Sequence, residues 1–270
     1  MALLKELKIF IKHILYWIFS FIGFSFFFFL FGLEEVTIFG KNYFLPLPSE
    51  NSFSVQVFNK IQYDLLPPGV RLVVTNPMSA FISQILLSML LSFLLTTPFF
   101  IYKIITYLRP ALLLHERKAV LWSLLPIVFL FFLGSMFSYF FLIPATFKIL
   151  YPYATSIGAV PFFSIDEFIH YVFGLMFAVG LMFLFPIFMV LLSFTGIIRA
   201  DFWRRNWRYA LLFFLISSAI ITPDGTGITM MMLFIPEAVL YFAGYVFANK
   251  FNRHTINEKV ELVKLNSSTH

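Results

Sequence analysis

Four stretches of this chain run for twenty or more residues without an Asp, Glu, Lys or Arg, and nothing else in the sequence limits its fold so tightly. They are Ile14 to Leu33, Pro77 to Tyr102, Ala119 to Phe147 and Phe168 to Ile198. At about 1.5 Å per residue, each is long enough to cross roughly 30 Å of hydrocarbon as a helix. Apolar residues make up 60% of the 270 positions, charged ones only 12%, and there are 40 phenylalanines. No water-soluble core of this size could hide them, so lipid serves as part of the solvent.

Two further apolar stretches follow, Tyr209 to Pro223 and Gly225 to Asn249, the second interrupted by Pro236 and Glu237. The first falls below the roughly 17 residues usually needed to span. It spans only if the bilayer thins or Arg205 and Arg208 snorkel to the boundary. The expectation is an all-α integral membrane protein with six transmembrane helices, the last two short. A single domain covers residues 1–250, with spans at about 14–33, 77–102, 119–147, 168–198, 209–223 and 225–249. Residues 251–270 form a polar, disordered tail. The basic start followed by an apolar run reads as a retained first helix, because the run is longer than a signal-peptide core and shows no small-residue cleavage site.

Orientation follows from the basic residues. Lys5, Lys8 and Lys12 precede the first stretch, and Arg109, Arg117 and Lys118 lie between the second and third. Arg199, Arg204, Arg205 and Arg208 lie between the fourth and fifth, and Lys250, Arg253, Lys259 and Lys264 come last. The intervening loops are acidic on balance. Under the positive-inside rule all four clusters are cytoplasmic, which requires six spans and puts both termini inside a cell membrane. The net charge of +6 is thereby explained without nucleic acid. Residues 34–76 form the long outer loop, with Phe53, Val57 and Ile61 at helical spacing, a Pro67-Pro68-Gly69 turn and an apolar run from Val70 to Val74. It is either a folded cap or a plain aromatic-rich connector.

Catalytic constellations are scarce. The chain has no cysteine, which removes disulfides, thiolate metal sites and thiol nucleophiles. His115-Glu116 lacks the second histidine of a zinc-binding HExxH helix, and no nucleophile elbow or glycine-rich phosphate loop occurs. Neither a metal, a cofactor nor an enzyme is expected. Glu6 and Glu116, however, are the only carboxylates within the first two basic clusters. A carboxylate there suits a guanidinium arriving from a partner, since paired N–H to oxygen bonds supply energy and geometry together. The alternative is local pairing with Lys5, Lys8, Arg117 or Lys118, worth at most about 1 kcal/mol when exposed.

Glu237 lies near the middle of the sixth stretch, where an ionisable group costs roughly 2.5 to 3.5 kcal/mol on insertion scales. It is either a functional contact or an acid bonded within the bundle. Pro77, Pro98, Pro126, Pro144, Pro186 and Pro236 fall within or at the ends of apolar stretches and can bend them. A solute transporter or channel is the competing function. It would need a polar midplane site, for which Gln84, Ser88, Ser92 and Glu237 are the few groups available.

Several motifs together resemble one family. They are Thr97-Pro98-Phe99-Phe100-Ile101-Tyr102-Lys103, then Leu108-Arg109-Pro110-Ala111-Leu112, then His115-Glu116-Arg117-Lys118. Further on come Phe132 to Phe140 with Pro144, then Gly180, Phe183 and Pro186, then Gly196-Ile197, Ile221-Thr222-Pro223-Asp224, Ile235-Pro236 and Leu240-Tyr241. This order is similar to that of TatC, the large multi-span subunit of the twin-arginine protein translocase, and Glu6-Leu7-Lys8 falls where that family has a Glu-Leu-Arg element.

The resemblance implies a six-helix, cup-shaped receptor for signal peptides bearing paired arginines. With small single-span TatA/TatB-like subunits, in a homo- or hetero-oligomer, it would export folded cargo proteins using the proton gradient. Glu6, Glu116 and Arg117, with Tyr107 beside them, are then the signal-peptide-binding residues. Glu237, Thr226 and Thr229 are candidates for intramembrane polar or partner contact, and Pro98, Pro110, Pro144, Pro186, Asp224 and Pro236 for conformational roles. Where the family commonly carries a fourth-span glutamate between the matched Phe and Pro, this chain has Leu184 and Phe185; Glu237 is the acid available to take over that role.

Overall fold

The computed structural model describes the backbone of residues 2–38, 41–66, 70–108, 124–156, 158, 162–194, 197–222, 224 and 227–267. Within these, the side chains of 2–10, 36–38, 41–44, 71, 104–105, 107–108, 162 and 251–267 are not described. The chain forms two compact units: residues 1–110 with 139–176, and residues 111–138 with 177–270. Each is built on helices. Among the described residues, five are long and apolar enough to cross a membrane: Ile11–Leu30, Pro77–Lys103, Leu124–Ser156, Ile165–Phe194 and Ile228–Lys250.

In the first unit, α1 (Ala2–Leu30) packs on α3 (Pro77–Leu108). Asn76 starts α3, its side-chain oxygen accepting the Met78 N–H at 3.2 Å, and Pro77 stands at the first helical position, where no N–H is needed. The Trp17 indole donates to Thr96 Oγ1 (3.2 Å) and Ser92 Oγ donates to the Phe21 carbonyl (2.6 Å). Hydroxyls bonded across or along helices are the common polar glue of membrane bundles. Pro98 deprives the Leu94 carbonyl of its usual donor inside α3. Just beside that gap, Thr97 Oγ1 donates to the Phe93 carbonyl (2.7 Å) and Thr96 Oγ1 to the Ser92 carbonyl (2.8 Å).

Between these helices the loop is a folded cap. An antiparallel hairpin of β1 (Phe31–Ile38) and β2 (Lys41–Pro48) leads to α2 (Phe53–Leu65), then β3 (Arg71–Val73). The first span therefore stops at Leu30, and Phe31 to Leu33, assigned to it from hydropathy, belong to the hairpin. Gly32 is required there, because a Cβ would collide with the Asn51 carbonyl. The four-residue spacing of Phe53, Val57 and Ile61 is α2, with Ile61 buried. β3 pairs in parallel with β4 (Phe162–Ser164), tying the cap to the start of α6 (Ile165–Met182).

The third long helix is continuous but irregular. α4 (Leu124–Phe137) passes through a π-turn at Ser138–Leu142 into α5 (Ile143–Ser156). Pro144 explains the change of hydrogen-bond pattern: it cannot donate to the Phe140 carbonyl, and the π-turn is the segment just before it. In the second unit, α6 ends at Met182 and α7 (Phe185–Phe194) resumes after a turn at Phe183-Leu184. Pro186 forces this break, lacking the N–H that would have reached the Met182 carbonyl.

Small residues set the close approaches in the second unit. A Cβ at Gly180 would sit 2.8 Å from the Phe131 ring and from Ser135 Oγ, and one at Gly134 would sit 2.8 Å from the Phe183 ring. The Phe137 and Phe183 rings lie 5.7 Å apart beside them. Gly244 likewise lets α10 (Ile228–Ser267) approach the backbone of Pro186, where a Cβ would meet the proline Cα at 2.9 Å. Around that crossing, Met189, Trp203, Phe214 and Tyr241 form the buried core.

The fifth apolar stretch is α9 (Trp207–Ile221), preceded by the short α8 (Ala200–Arg205). At 15 residues α9 is about 22 Å long and is short, as its composition implies. The sixth is not short, because α10 runs unbroken from Ile228 to Ser267. It carries helix through most of the segment read as a disordered tail. The reason is visible in that segment, where Ile256, Val260 and Val263 recur at helical spacing among good helix formers.

Candidate functional site

Of the acids singled out for recognition, Glu6 lies on α1, near one end of the α1–α3 pair. The bonds Trp17–Thr96 and Phe21–Ser92 show that the two helices run antiparallel in a fixed register. Glu6 lies eleven residues before Trp17 and Tyr107 eleven after Thr96. With the same rise on both helices, α1 presents Glu6 at about the level where α3 presents Tyr107. Lys103, one turn earlier on α3, sits 5.2 Å from the Tyr16 ring and 4.9 Å from the Phe99 ring, so its charge rests against aromatic faces. Glu116, Arg117 and Pro110 lie outside the described residues, as does Thr226 in the later loop.

The intramembrane acid sits in the second unit. Glu237 is 2% exposed, and Ser218 Oγ on α9 donates to its Oε2 at 3.2 Å. Its other oxygen has no hydrogen-bond partner among the described residues. Thr229, Leu233 and Glu237 follow one another at four-residue spacing along α10 and are all buried. Thr229 Oγ1 is also without a partner among the described residues. At the start of α10, Asp224 Oδ2 accepts the Thr229 N–H at 3.4 Å, and Gly227 takes a φ of +74° that a side chain would resist. Asp224 thus bonds the first turn of the helix that carries Glu237. The structure brings Asp224 to Thr229, and Thr229 and Glu237 share one buried face of α10 two turns apart. Pro236, beside Glu237, leaves the Met232 carbonyl without its helical donor.

Sequence reasoning did not single out Ser218, the partner of Glu237. Its signal was a Ser217-Ser218 pair inside an apolar run opposite an acid-bearing helix. It also missed a second polar feature, in the first unit. Tyr139, on the π-turn, donates to Asp64 Oδ2 (2.9 Å), and Lys60 pairs with the other oxygen of Asp64 (3.3 Å). These groups border a cavity of about 1060 Å³ between α2, the π-turn and Pro144. By contrast, the polar residues of α3 that a transporter would need are engaged in the fold. Gln84 donates to Ser52 Oγ (3.0 Å), Ser88 to the Gln84 carbonyl (2.8 Å) and Ser92 to α1.

A family model described as Sec-independent protein translocase protein (TatC) matches residues 3–236. This chain belongs to the TatC family. The Sec-independent protein translocase protein TatC of Cenarchaeum symbiosum (strain A) is 34% identical over 224 residues, covering 83% of this chain and 85% of that one. The chloroplastic TATC of Pisum sativum is 32% identical over 72% of this chain and 54% of its own length. Among solved structures, a crystal structure of the twin arginine translocase receptor TatC matches with a TM-score of 0.70 at 26% identity, covering 91% of this chain and 99% of that one. A second crystal structure of that receptor, in DDM, gives 0.71.

As a TatC protein the chain is a component of Sec-independent protein translocation, a transport protein rather than an enzyme, and it is a multi-pass membrane protein. The motif residues that carried the resemblance include those at close helix approaches in the second unit, Gly134 and Gly180 with Phe183, and the helix break at Pro186. Glu237 is the first residue beyond the matched range. Leu184, between Phe183 and Pro186, is buried.

Proposed function

We propose that this TatC protein is the receptor core of a twin-arginine translocase in the cell membrane. It has six spans and cytoplasmic termini, with α9 as the short fifth. Glu6 and Glu116, with Arg117 and Tyr107 beside them, receive the paired arginines of a signal peptide. Small single-span TatA/TatB-like subunits then join it to export folded cargo on the proton gradient. Glu237 and Thr229, with Thr226, provide the intramembrane polar contact, and Pro98, Pro110, Pro144, Pro186, Asp224 and Pro236 serve the conformational adjustment.

The observation that carries this reading is the register of the α1–α3 pair, supported by the family membership. Glu6 reaches the level of Tyr107, at the end of α3 that leads into the segment holding Glu116. A planar guanidinium can be gripped by two carboxylate oxygens at once, whereas a lysine ammonium cannot form that fork. The test is capture of the detergent-solubilised chain by an immobilised twin-arginine signal peptide and by its lysine-lysine variant. Preference for arginine is the expected result. Equal capture by both would reduce the site to nonspecific charge attraction.

A further inference from the structure

The second unit holds a pocket that neither the recognition acids nor Glu237 uses. α8 ends on Arg204-Arg205 and α9 begins at Trp207, so the chain turns at Asn206, whose N–H bonds the Phe202 carbonyl at 3.0 Å. This corner lies against α10. The Tyr241 hydroxyl donates to the Trp203 carbonyl (2.7 Å), and the Trp207 and Phe242 rings lie 6.4 Å apart. Between them is a concavity of about 290 Å³ lined by Trp203, Arg204, Trp207, Tyr241, Phe242 and Tyr245. Its floor is fixed, because Trp203 is buried with its indole N–H donated to Ser193 Oγ (2.9 Å), and Tyr241 is 1% exposed. Its rim is open: Trp207 is 40% exposed and Phe242 47%.

The charge at this corner is one-sided. Arg199, Arg204, Arg205 and Arg208 face only Asp201 as an acid of their own segment. Among the described residues the only ion pair here is Arg199–Asp201, at 4.0 Å. Arg208 lies over the Trp207 ring at 5.6 Å. α9 starts at the same rim without a side-chain cap, so its first N–H groups and the positive end of its dipole add to the arginines. Leading away from the pocket along α10, Phe242, Val239 and Val246 share one exposed apolar face.

The geometry points to a binding site for one anionic phospholipid at this corner. The phosphodiester is held by Arg204 in the pocket and Arg208 above Trp207, and an acyl chain lies along Phe242 and Val239. A guanidinium suits phosphate through its fork of donors, and indole and phenol rings favour the depth where headgroup meets hydrocarbon. A soluble phosphate would satisfy the arginines but would leave the exposed Trp207–Phe242 rim in contact with nothing. The site therefore selects an amphiphile.

The test uses the full chain in phosphatidylcholine nanodiscs, titrated with phosphatidylglycerol brominated on its acyl chains, with tryptophan quenching as the readout. Quenching by brominated phosphatidylglycerol is expected to saturate at a low mole fraction and to exceed that by brominated phosphatidylcholine. The apparent affinity is expected to fall about fivefold for each of Arg204→Gln and Arg208→Gln. Trp207→Phe removes most of the saturable signal, which locates it. Arg199→Gln, a charge outside the pocket lining, leaves the curve unchanged, as does inorganic phosphate. Equal quenching by the two lipids overturns the site, as would an unaltered curve in the Arg204 and Arg208 variants, an equal loss in Arg199→Gln, or competition by inorganic phosphate.

Discussion

Two helix seams in this molecule handle polar groups in opposite ways. Between α1 and α3 of the first unit the groups are hydroxyls and an indole, and each has its partner: Trp17 with Thr96, Ser92 with the Phe21 carbonyl. Between α9 and α10 of the second unit the central group is a carboxylic acid, Glu237, bonded on one oxygen to Ser218 and unpartnered on the other among the described residues. A neutral hydroxyl can always return its proton to a helix carbonyl, as Thr96 does to Ser92, so it joins helices at little cost. A buried acid has no such retreat. We propose that the acid at that depth is held for a reason other than packing, which would separate a working part from scaffold.

The sharpest way to break the contrast is to place a cation on the second seam. Glu237→Lys should destabilise the detergent-solubilised protein by about 3 to 5 kcal/mol, the usual result of an uncompensated buried charge, and abolish a cooperative melt. Glu237→Gln, which can still accept from Ser218, should melt close to the parent. If the lysine variant melted normally, the acid would have to face water rather than Ser218.

A smaller effect is expected from the glycines. Gly180→Ala places a Cβ against Phe131 and Ser135, an overpacking costing about 1 to 3 kcal/mol, whereas the Cβ of Gly174→Ala, six residues earlier on the same helix, meets nothing within 4 Å and should cost nothing. Thermal denaturation of the two variants side by side checks the assignment. Matching losses would mean that α4 does not approach α6 at Gly180.

The smallest change tests the first seam. A double-mutant cycle of Trp17→Phe and Thr96→Val should return a coupling of about 0.6 kcal/mol, typical of interhelical hydrogen bonds in membranes. Zero coupling would remove the bond that fixes the α1–α3 register.

Much of this was legible in the sequence because lipid imposes a simple requirement on it. The charge-free stretches from Pro77 and Phe168 became helices at nearly the positions read for them, since a helix satisfies its own backbone in hydrocarbon. α2 was legible from Phe53, Val57 and Ile61, whose spacing is that of one helical face. The hairpin β1–β2 was not. Phe31 to Leu33 continue the apolar run of α1, and hydropathy does not register the change from helical to extended backbone. The π-turn at Ser138–Leu142 and the break at Phe183-Leu184 were hidden for the same reason, although Pro144 and Pro186 marked them.

At the site, Glu237 stood out because a charge in an apolar run is rare. Ser218 did not, because a serine in such a run is common and only the packing of α9 on α10 makes it a partner. The same holds for the arginine and aromatic corner. Arg204 and Arg208 read as a positive-inside cluster, and only the fold sets Tyr241 and Phe242 against Trp203 and Trp207.

The central claim is that carboxylates at the Glu6–Tyr107 end of the α1–α3 pair grip paired arginines. Its most direct measurement is the affinity ratio for twin-arginine over twin-lysine signal peptides, taken by the same titration on the parent chain and on Glu6→Gln/Glu116→Gln. A clear arginine preference in the parent that collapses to parity in the double variant, with lysine-peptide binding little changed, is the predicted result. Retention of the full preference without those two carboxylates would contradict the account.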